Sequence, residues 1–191
     1  MLTVIIPTRE SERALVQTLA PLVAGATAGL IAEVIIADAG SKDATAEVAD
    51  LAGCRYLAAD APTGARLKSA AQSARTPWML FLRPGTVPET GWVEAVEQFI
   101  GGSEVERAAV FRRRADEFTE PGIAAAVAAV RAALFGPPLN PDQGLLIGRR
   151  LYDGLGGHAS GDDAEAALLK TLGRRRIALL SAAARPAHTL T

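Results

Sequence analysis

The stretch Glu33-Val34-Ile35-Ile36-Ala37-Asp38-Ala39-Gly40-Ser41-Lys42-Asp43-Ala44-Thr45-Ala46 decides how the chain folds. Val34, Ile35 and Ile36 form a short continuous apolar run, which suits a strand buried on both faces of a parallel sheet. Asp38 follows where that strand should end. Ala39-Gly40-Ser41 supplies a tight turn, and Ser41 or Asp43 can cap a helix starting near Ala44. In an open α/β sheet, ligands bind in the crevice beyond the carboxyl ends of the strands. Asp38 therefore stands at the mouth of such a crevice, with a helix N-terminus beside it. A strand-Asp-Gly on its own reads more simply as a carboxylate that caps a turn, so the rest of the chain has to decide.

Upstream, Leu2 to Ile6 reads as a strand stopped by Pro7, with a loop over Pro7-Thr8-Arg9-Glu10. Leu15, Leu19, Leu22 and Val23 mark a helix from about Glu12 to Ala24, broken by Gly25 to Gly29. Downstream, a helix from about Ala44 to Ala52 ends at Gly53, and Cys54 to Ala58 is a weaker strand. Thr63-Gly64 opens a helix to about Ala74, and Trp78 to Leu82 is the strongest strand signal in the chain. Strands alternating with helices predict a doubly wound, largely parallel sheet for this half. Beyond it, Gly91 to Ile100 reads as a helix, Val105 to Phe111 as a strand, and Glu120 to Phe135 as an Ala-rich helix ended by Gly136-Pro137-Pro138. Gln143 to Ile147 reads as a strand, Arg149 to Gly154 and Asp162 to Leu172 as helices, and Arg176 to Leu180 as the last strand.

Composition bounds the function. At 191 residues, 49% of them hydrophobic, the chain is long enough for a full core and too apolar for disorder. A formal net charge of −1 argues against a nucleic-acid binder, which needs a basic face. The single cysteine, Cys54, rules out an internal disulfide and a Cys-based metal cluster, and its apolar neighbours place it in the core. The opening Met1-Leu2-Thr3-Val4 has no charged leader region, and no apolar run reaches the roughly 18 residues of a bilayer span, so a soluble cytoplasmic domain is expected. Arg112-Arg113-Arg114 and Arg174-Arg175-Arg176 are short basic runs, usually solvated, that can also meet acidic lipid or phosphate at a membrane surface.

Thr3-Val-Ile-Ile-Pro-Thr-Arg-Glu10 followed by Glu33-Val-Ile-Ile-Ala-Asp38-Ala-Gly-Ser-Lys-Asp43 resembles the opening of the family 2 glycosyltransferases. Gly64-Ala-Arg66-Leu-Lys68, Leu80-Phe-Leu82, Asp142-Gln143-Gly144 and Gly173-Arg-Arg-Arg-Ile177 fall at that family's later motif positions, in order. The resemblance implies a Rossmann-like GT-A fold: one α/β domain over residues 1–191, with a mostly parallel central sheet flanked by helices. Its nucleotide-binding half would cover 1–100 and its acceptor half 101–181, with 182–191 as a flexible tail. It also implies a nucleotide-diphosphate sugar donor, commonly a uridine nucleotide, so that UDP or a UDP-sugar is the expected ligand.

A uracil ring needs an acceptor for its N3–H, and by resemblance the carboxylate is that of Asp38, beside Gly40. The loop Pro7, Thr8, Arg9 and Glu10 would supply backbone groups and a carboxylate to base and ribose. Arg66 and Lys68, in the helix that Gly64 opens, can hold phosphate oxygens with help from the helix N-terminus, although a solvated helical face is the simpler reading of two such residues. After the hydrophobic strand, where the family carries an Asp-x-Asp or His-Ala-Asp motif for a divalent cation, the chain reads Arg83-Pro84-Gly85-Thr86. Mg²⁺ and Mn²⁺ want hard oxygen donors, so no metal is expected at the usual place, and Arg83 can neutralise the same phosphate oxygens instead. The catalytic carboxylate that deprotonates the acceptor hydroxyl is Asp163 if matched by the acidic pair. It is Glu165 if counted back from Gly173-Arg174-Arg175-Arg176; capping of the helix is the plainer reading of Asp162 and Asp163. His158 is expected to be an exposed loop residue, and Trp78 and Trp92 core or groove walls. Two functions follow: sugar transfer from a UDP-sugar, or a family member that binds the nucleotide without transfer, as sensor or partner subunit. An unrelated nucleotide-binding domain is disfavoured because no Gly-x-Gly-x-x-Gly or Gly-Lys-Ser/Thr loop is present.

Overall fold

A computed structural model of the protein describes residues 1–102, 106–113 and 139–187. In chain order the elements are β1 (Leu2–Thr8), α1 (Glu12–Thr27), β2 (Ile31–Asp38), α2 (Thr45–Leu51), β3 (Arg55–Ala58), α3 (Thr63–Ser73), β4 (Trp78–Phe81), β5 (Thr86–Pro88) and α4 (Trp92–Gly102). They continue with β6 (Ala108–Arg113), β7 (Leu145–Gly148), α5 (Arg149–Gly154), α6 (Ala164–Leu172) and β8 (Ile177–Pro186). The strands form one eight-stranded sheet in the order β3-β2-β1-β4-β7-β6-β8-β5. The first four run parallel to one another. β7 enters antiparallel to both β4 and β6, while β6 and β8 are again parallel.

The period-2 alternation of a strand sorts β1 onto two cores. Val4 and Ile6 face Leu15 and Leu22 of α1 and Trp92 and Val96 of α4, whereas Ile5 faces Leu67 and Ala71 of α3 with Leu168 and Leu169 of α6. Both faces are covered, which is why the central strands read as unbroken apolar runs. The carboxyl ends of β1, β2 and β4 are consequently held side by side, with Thr8 opposite Asp38 and Leu82 N–H bonded to the Ile5 carbonyl.

Several boundaries differ from expectation, each for a packing reason. α1 continues through Gly25 to Thr27, because Gly25 is where the Trp92 ring lies on the helix: a Cβ there would sit 2.5 Å from the ring. Trp92 is thus core, its indole N–H donating to the Pro21 carbonyl at 3.1 Å, and Trp78 stacks edge-on against Phe99. Cys54 is only partly buried, packed against the core rather than within it. β8 extends to Pro186, so Ala182 to Pro186, expected as flexible tail, is a strand paired with β5 on one side and β6 on the other. The expected helix over Glu120 to Phe135 with its stop, Val105, Arg114, His188 and the last residues of the tail lie outside the described residues. No helix among the described residues is long and apolar enough to cross a membrane.

Candidate functional site

Asp38 closes β2 and is fully buried. Its Oδ1 accepts hydrogen bonds from the Thr8 and Ser41 hydroxyls, both at 2.6 Å, and its Oδ2 accepts from the backbone N–H groups of Gly40 and Ser41 at 2.7 and 2.6 Å. Burial alone would raise its pKa, but the hydroxyls of Ser41 and Thr8 and the Ser41 N–H outweigh it and hold the carboxyl at about 2. Tyr56, in the neighbouring β3, is pushed up to about 12 by burial and by its hydrogen bond to this carboxylate. The turn after Asp38 needs Gly40, whose φ is +84°.

A second set of bonds fastens the β1 loop to the β2 loop. Glu10 adopts a left-handed φ of +47°, uncommon for a residue with a side chain. It is held there because its N–H donates to the Ser41 hydroxyl at 2.8 Å while its carboxylate accepts from the Lys42 and Asp43 N–H groups at 2.8 and 3.2 Å. Asp43 accepts from the N–H groups of Glu12 and Thr45, so it serves the first turns of α1 and α2 together. Pro7 and Thr8 are buried in the sheet, while Arg9, Glu10 and Gly40 face solvent at its end.

Arg66 and Gly64 correct the expected phosphate contact. Arg66 is 5% exposed and turned inward. Its Nε donates to the Ala61 carbonyl at 3.0 Å, Nη1 to the carbonyls of Thr8 (3.2 Å) and Ala37, and Nη2 to the Thr63 hydroxyl at 3.1 Å. The guanidinium therefore ties together the ends of β1 and β2 and the loop before α3 through four hydrogen bonds within the protein. Lys68 is half-buried further along α3. The N-terminus of α3 is covered as well: Asp162 accepts from the Thr63 N–H at 3.0 Å, and the Gly64 N–H donates to the Gly161 carbonyl at 2.8 Å. Asp162 thus caps α3 rather than the helix that follows it in sequence.

Arg83, just past β4, gathers two carboxylates from distant parts of the chain. Its Nε donates to Glu165 Oε2 at 2.8 Å and its Nη1 to Asp142 Oδ1 at 3.0 Å. The side chains are 37% exposed for Arg83, 62% for Asp142 and 11% for Glu165. Burial raises the Glu165 pKa, Arg83 opposes the rise, and the net direction is upward. Asp142 stands on a 3-10 turn, Pro141–Gln143, pinned by a capping box with Asn140 and by the Gln143 side-chain amide, which donates to the Phe111 carbonyl at 2.8 Å. Of the two expected catalytic carboxylates, Glu165 is at this centre, while Asp163 is exposed at the start of α6.

These residues do not fit a divalent ion at the family's usual position. A guanidinium fills the space between the two carboxylates, and like charge repels a metal there. Gly85, at the second motif position, has a φ of +88°, and its N–H donates to the Thr18 hydroxyl of α1 at 2.8 Å; a side chain there would be strained and would point toward Ala187 and Ala14. Among the described residues, no three His, Cys, Asp or Glu side chains converge elsewhere.

His158, expected at the surface, is 1% exposed. Its ring meets Phe81 edge-on at 4.7 Å, and the Tyr152 hydroxyl accepts the His158 backbone N–H at 3.2 Å while lying 2.9 Å from Nδ1. With that hydroxyl donating to Nδ1, the proton of the neutral ring sits on Nε2. Burial lowers the imidazole pKa from 6.5 to about 4. Because the unfolded chain binds the proton first as pH falls, stability should drop by about 2 kcal/mol between about pH 7 and pH 5 and level off below the folded value. Urea unfolding at the two pH values checks this; His158→Gln should flatten the difference, and an equal drop in the variant would place its source elsewhere.

A family model described as "Glycosyl transferase family 2" matches residues 3–126. No curated protein matches the chain. Among solved structures, glucosyl-3-phosphoglycerate synthase from Mycobacterium tuberculosis, in complex with Mn²⁺, UDP and glucosyl-3-phosphoglycerate, aligns with a TM-score of 0.73 at 20% identity, covering 99% of this chain and 72% of that one. The same enzyme with Mn²⁺ and UDP-glucose aligns with a TM-score of 0.69 at 21% identity over 100% and 72% of the two chains. Residues 1–349 of TarS from Staphylococcus aureus give a TM-score of 0.74 at 14% identity, with 97% of this chain and 60% of that one covered. The shared architecture is the GT-A fold. With nearly two-thirds of its length inside the family model, the chain belongs to glycosyl transferase family 2.

Proposed function

We propose that the chain binds a uridine diphosphate sugar over the loops Pro7–Glu10 and Gly40–Asp43 and transfers the sugar to a hydroxyl-bearing acceptor. The observation that carries this is the placement, at the carboxyl ends of β2 and β4, the two strands that flank β1, of an ionised carboxylate (Asp38) and a half-exposed cation (Arg83) that touches a second, largely buried carboxylate (Glu165). Solved structures of the same fold hold UDP or UDP-glucose. In this reading Asp38 accepts the uracil N3–H, Arg9 and Glu10 border base and ribose, and Arg83 stands against the diphosphate. The acceptor oxygen attacks the anomeric carbon, the bond to the diphosphate breaks with its electron pair leaving on UDP, and the acceptor's proton passes to Glu165. Oε2 of Glu165 holds Arg83, and its raised pKa suits a general base. Asp163 is the alternative base, reachable only from the surface.

Titration calorimetry with UDP and uridine, in EDTA and again with Mn²⁺, tests the reading. UDP should bind about tenfold or more tighter than uridine in EDTA, and Arg83→Ala should remove most of that advantage, since a charge-assisted bond to phosphate contributes about 1.5–3 kcal/mol. An absence of UDP binding would overturn the proposal. UDP binding that appears only with Mn²⁺ would overturn its metal-free part. A second reading, nucleotide binding without transfer, is favoured by one observation: Glu165 and Asp142 are both engaged by Arg83. Tight UDP binding with neither hydrolysis nor transfer of the sugar from UDP-glucose would select it.

A further inference from the structure

The two carboxylates on Arg83 are unequal. Glu165 is 11% exposed and bonds the Nε at 2.8 Å, whereas Asp142 is 62% exposed and bonds the Nη1 at 3.0 Å. A buried carboxylate that loses its cation keeps a desolvation penalty with nothing to offset it, whereas an exposed ion pair separates at almost no net cost because water takes over both charges. Any anion arriving at Arg83 will therefore displace the exposed partner and leave the buried one in place. The turn that carries Asp142 is fixed by the capping box and by Gln143, so this carboxylate is held at the guanidinium by backbone geometry rather than by chance.

We infer that Asp142 is a resident stand-in for a phosphate group, exchanged for the diphosphate when nucleotide binds, and that Glu165 is the fixed anchor that keeps Arg83 aimed at it. The inference rests on the nucleotide-diphosphate reading of the site. Arg83 is then an internal cation with one permanent and one replaceable counter-ion. The displaced Asp142 carboxylate is returned to solvent as the phosphate oxygens take its place on Nη1. No bond other than hydrogen bonds is made or broken. Asp142 acts against binding and Glu165 for it, although both carry the same charge and both touch the same side chain. Through-space repulsion of an anionic ligand predicts the same sign for both, so the two accounts separate.

The experiment measures UDP and uridine affinity in EDTA for the wild type, Asp142→Asn and Glu165→Gln, with thermal melting to confirm that each variant is folded. Asp142→Asn should bind UDP about three- to fivefold tighter, the range expected on removing a competing exposed partner. Glu165→Gln should bind UDP roughly tenfold weaker, as Arg83 loses its aim, with Glu165→Asp recovering part of the loss. Uridine, which carries no phosphate, should bind all variants alike. Tighter UDP binding in both variants would assign the effect to net charge and overturn the inference. Weaker binding in both, or no change in Asp142→Asn, would overturn it too. A wild type that binds uridine and UDP equally refutes it with Arg83 away from the phosphates, and one that binds neither ligand brings down the nucleotide reading itself.

Discussion

Gly64→Ala should lower the stability of the protein by about 3 kcal/mol or more, at the upper end of what overpacking does. A Cβ on Gly64 would lie 1.8 Å from the Ala159 carbonyl oxygen, 2.5 Å from the Ala164 Cβ and 2.8 Å from the Gly161 carbonyl oxygen. Two of these three obstacles are backbone atoms, which cannot swing aside as a flexible side chain does. Relief requires the 159–161 strand of loop to lift away from α3. That would stretch the bond from the Gly64 N–H to Gly161 and the contact of Asp162 with Thr63, and it would disturb the segment leading to Glu165. The variant should melt roughly 6–12 °C below the wild type. A loss of under 1 kcal/mol in chemical unfolding would mean that the loop does not lie on α3 as described.

Asp38 should separate fold from charge through two substitutions. In Asp38→Ala the buried Thr8 hydroxyl, the Ser41 hydroxyl and the part-buried N–H groups of Gly40 and Ser41 all lose their acceptor at once, so stability should fall by about 3 kcal/mol. Asp38→Asn should be far milder, about 1 kcal/mol, because the amide oxygen can still accept from those two N–H groups while its NH₂ faces the Thr8 and Ser41 hydroxyls, which rotate and accept. Under the proposed function, the same rotation allows the native carboxylate to trade one hydroxyl donor for the ring N3–H. Asn would then keep the loop and still weaken UDP by about 1.5–3 kcal/mol, the size of a lost bond to a charged group. Unchanged UDP affinity in a folded Asp38→Asn protein would remove Asp38 from the nucleotide site. Acid adds a check on stability: the folded carboxyl titrates at about 2 rather than 3.8, so its contribution is present above the unfolded value and fades as pH falls from about 4 to about 2.

Much of the first half of the chain was readable from local signals. The apolar runs of β1, β2 and β4 are unbroken because helices cover both faces, and the turn at Asp38 is written in adjacent residues. What escaped was long-range. β5 is three residues long, and the second half of β8 is mostly alanine; neither has enough apolar bulk to announce a strand, and both are fixed by pairing with each other. His158 carries no local mark of burial, since its partners Tyr152 and Phe81 close over it only in the folded chain. Arg66 sits among helical residues of ordinary polarity, and its partners are backbone carbonyls, which no residue type reveals. Glu165 was reachable by counting back from Gly173, but its meeting with Arg83 spans 82 positions in sequence.

The inward guanidinium of Arg66 has a bearing on how fast a ligand can engage. It donates to the carbonyls of Thr8, which also accepts the Ala39 N–H, and of Ala37, and so fastens the ends of two parallel strands to α3. With these ends tied together by one side chain, the part of the crevice floor that the described residues form is already assembled. Association should therefore proceed at the pace of encounter, and discrimination among ligands should reside in how long each one stays.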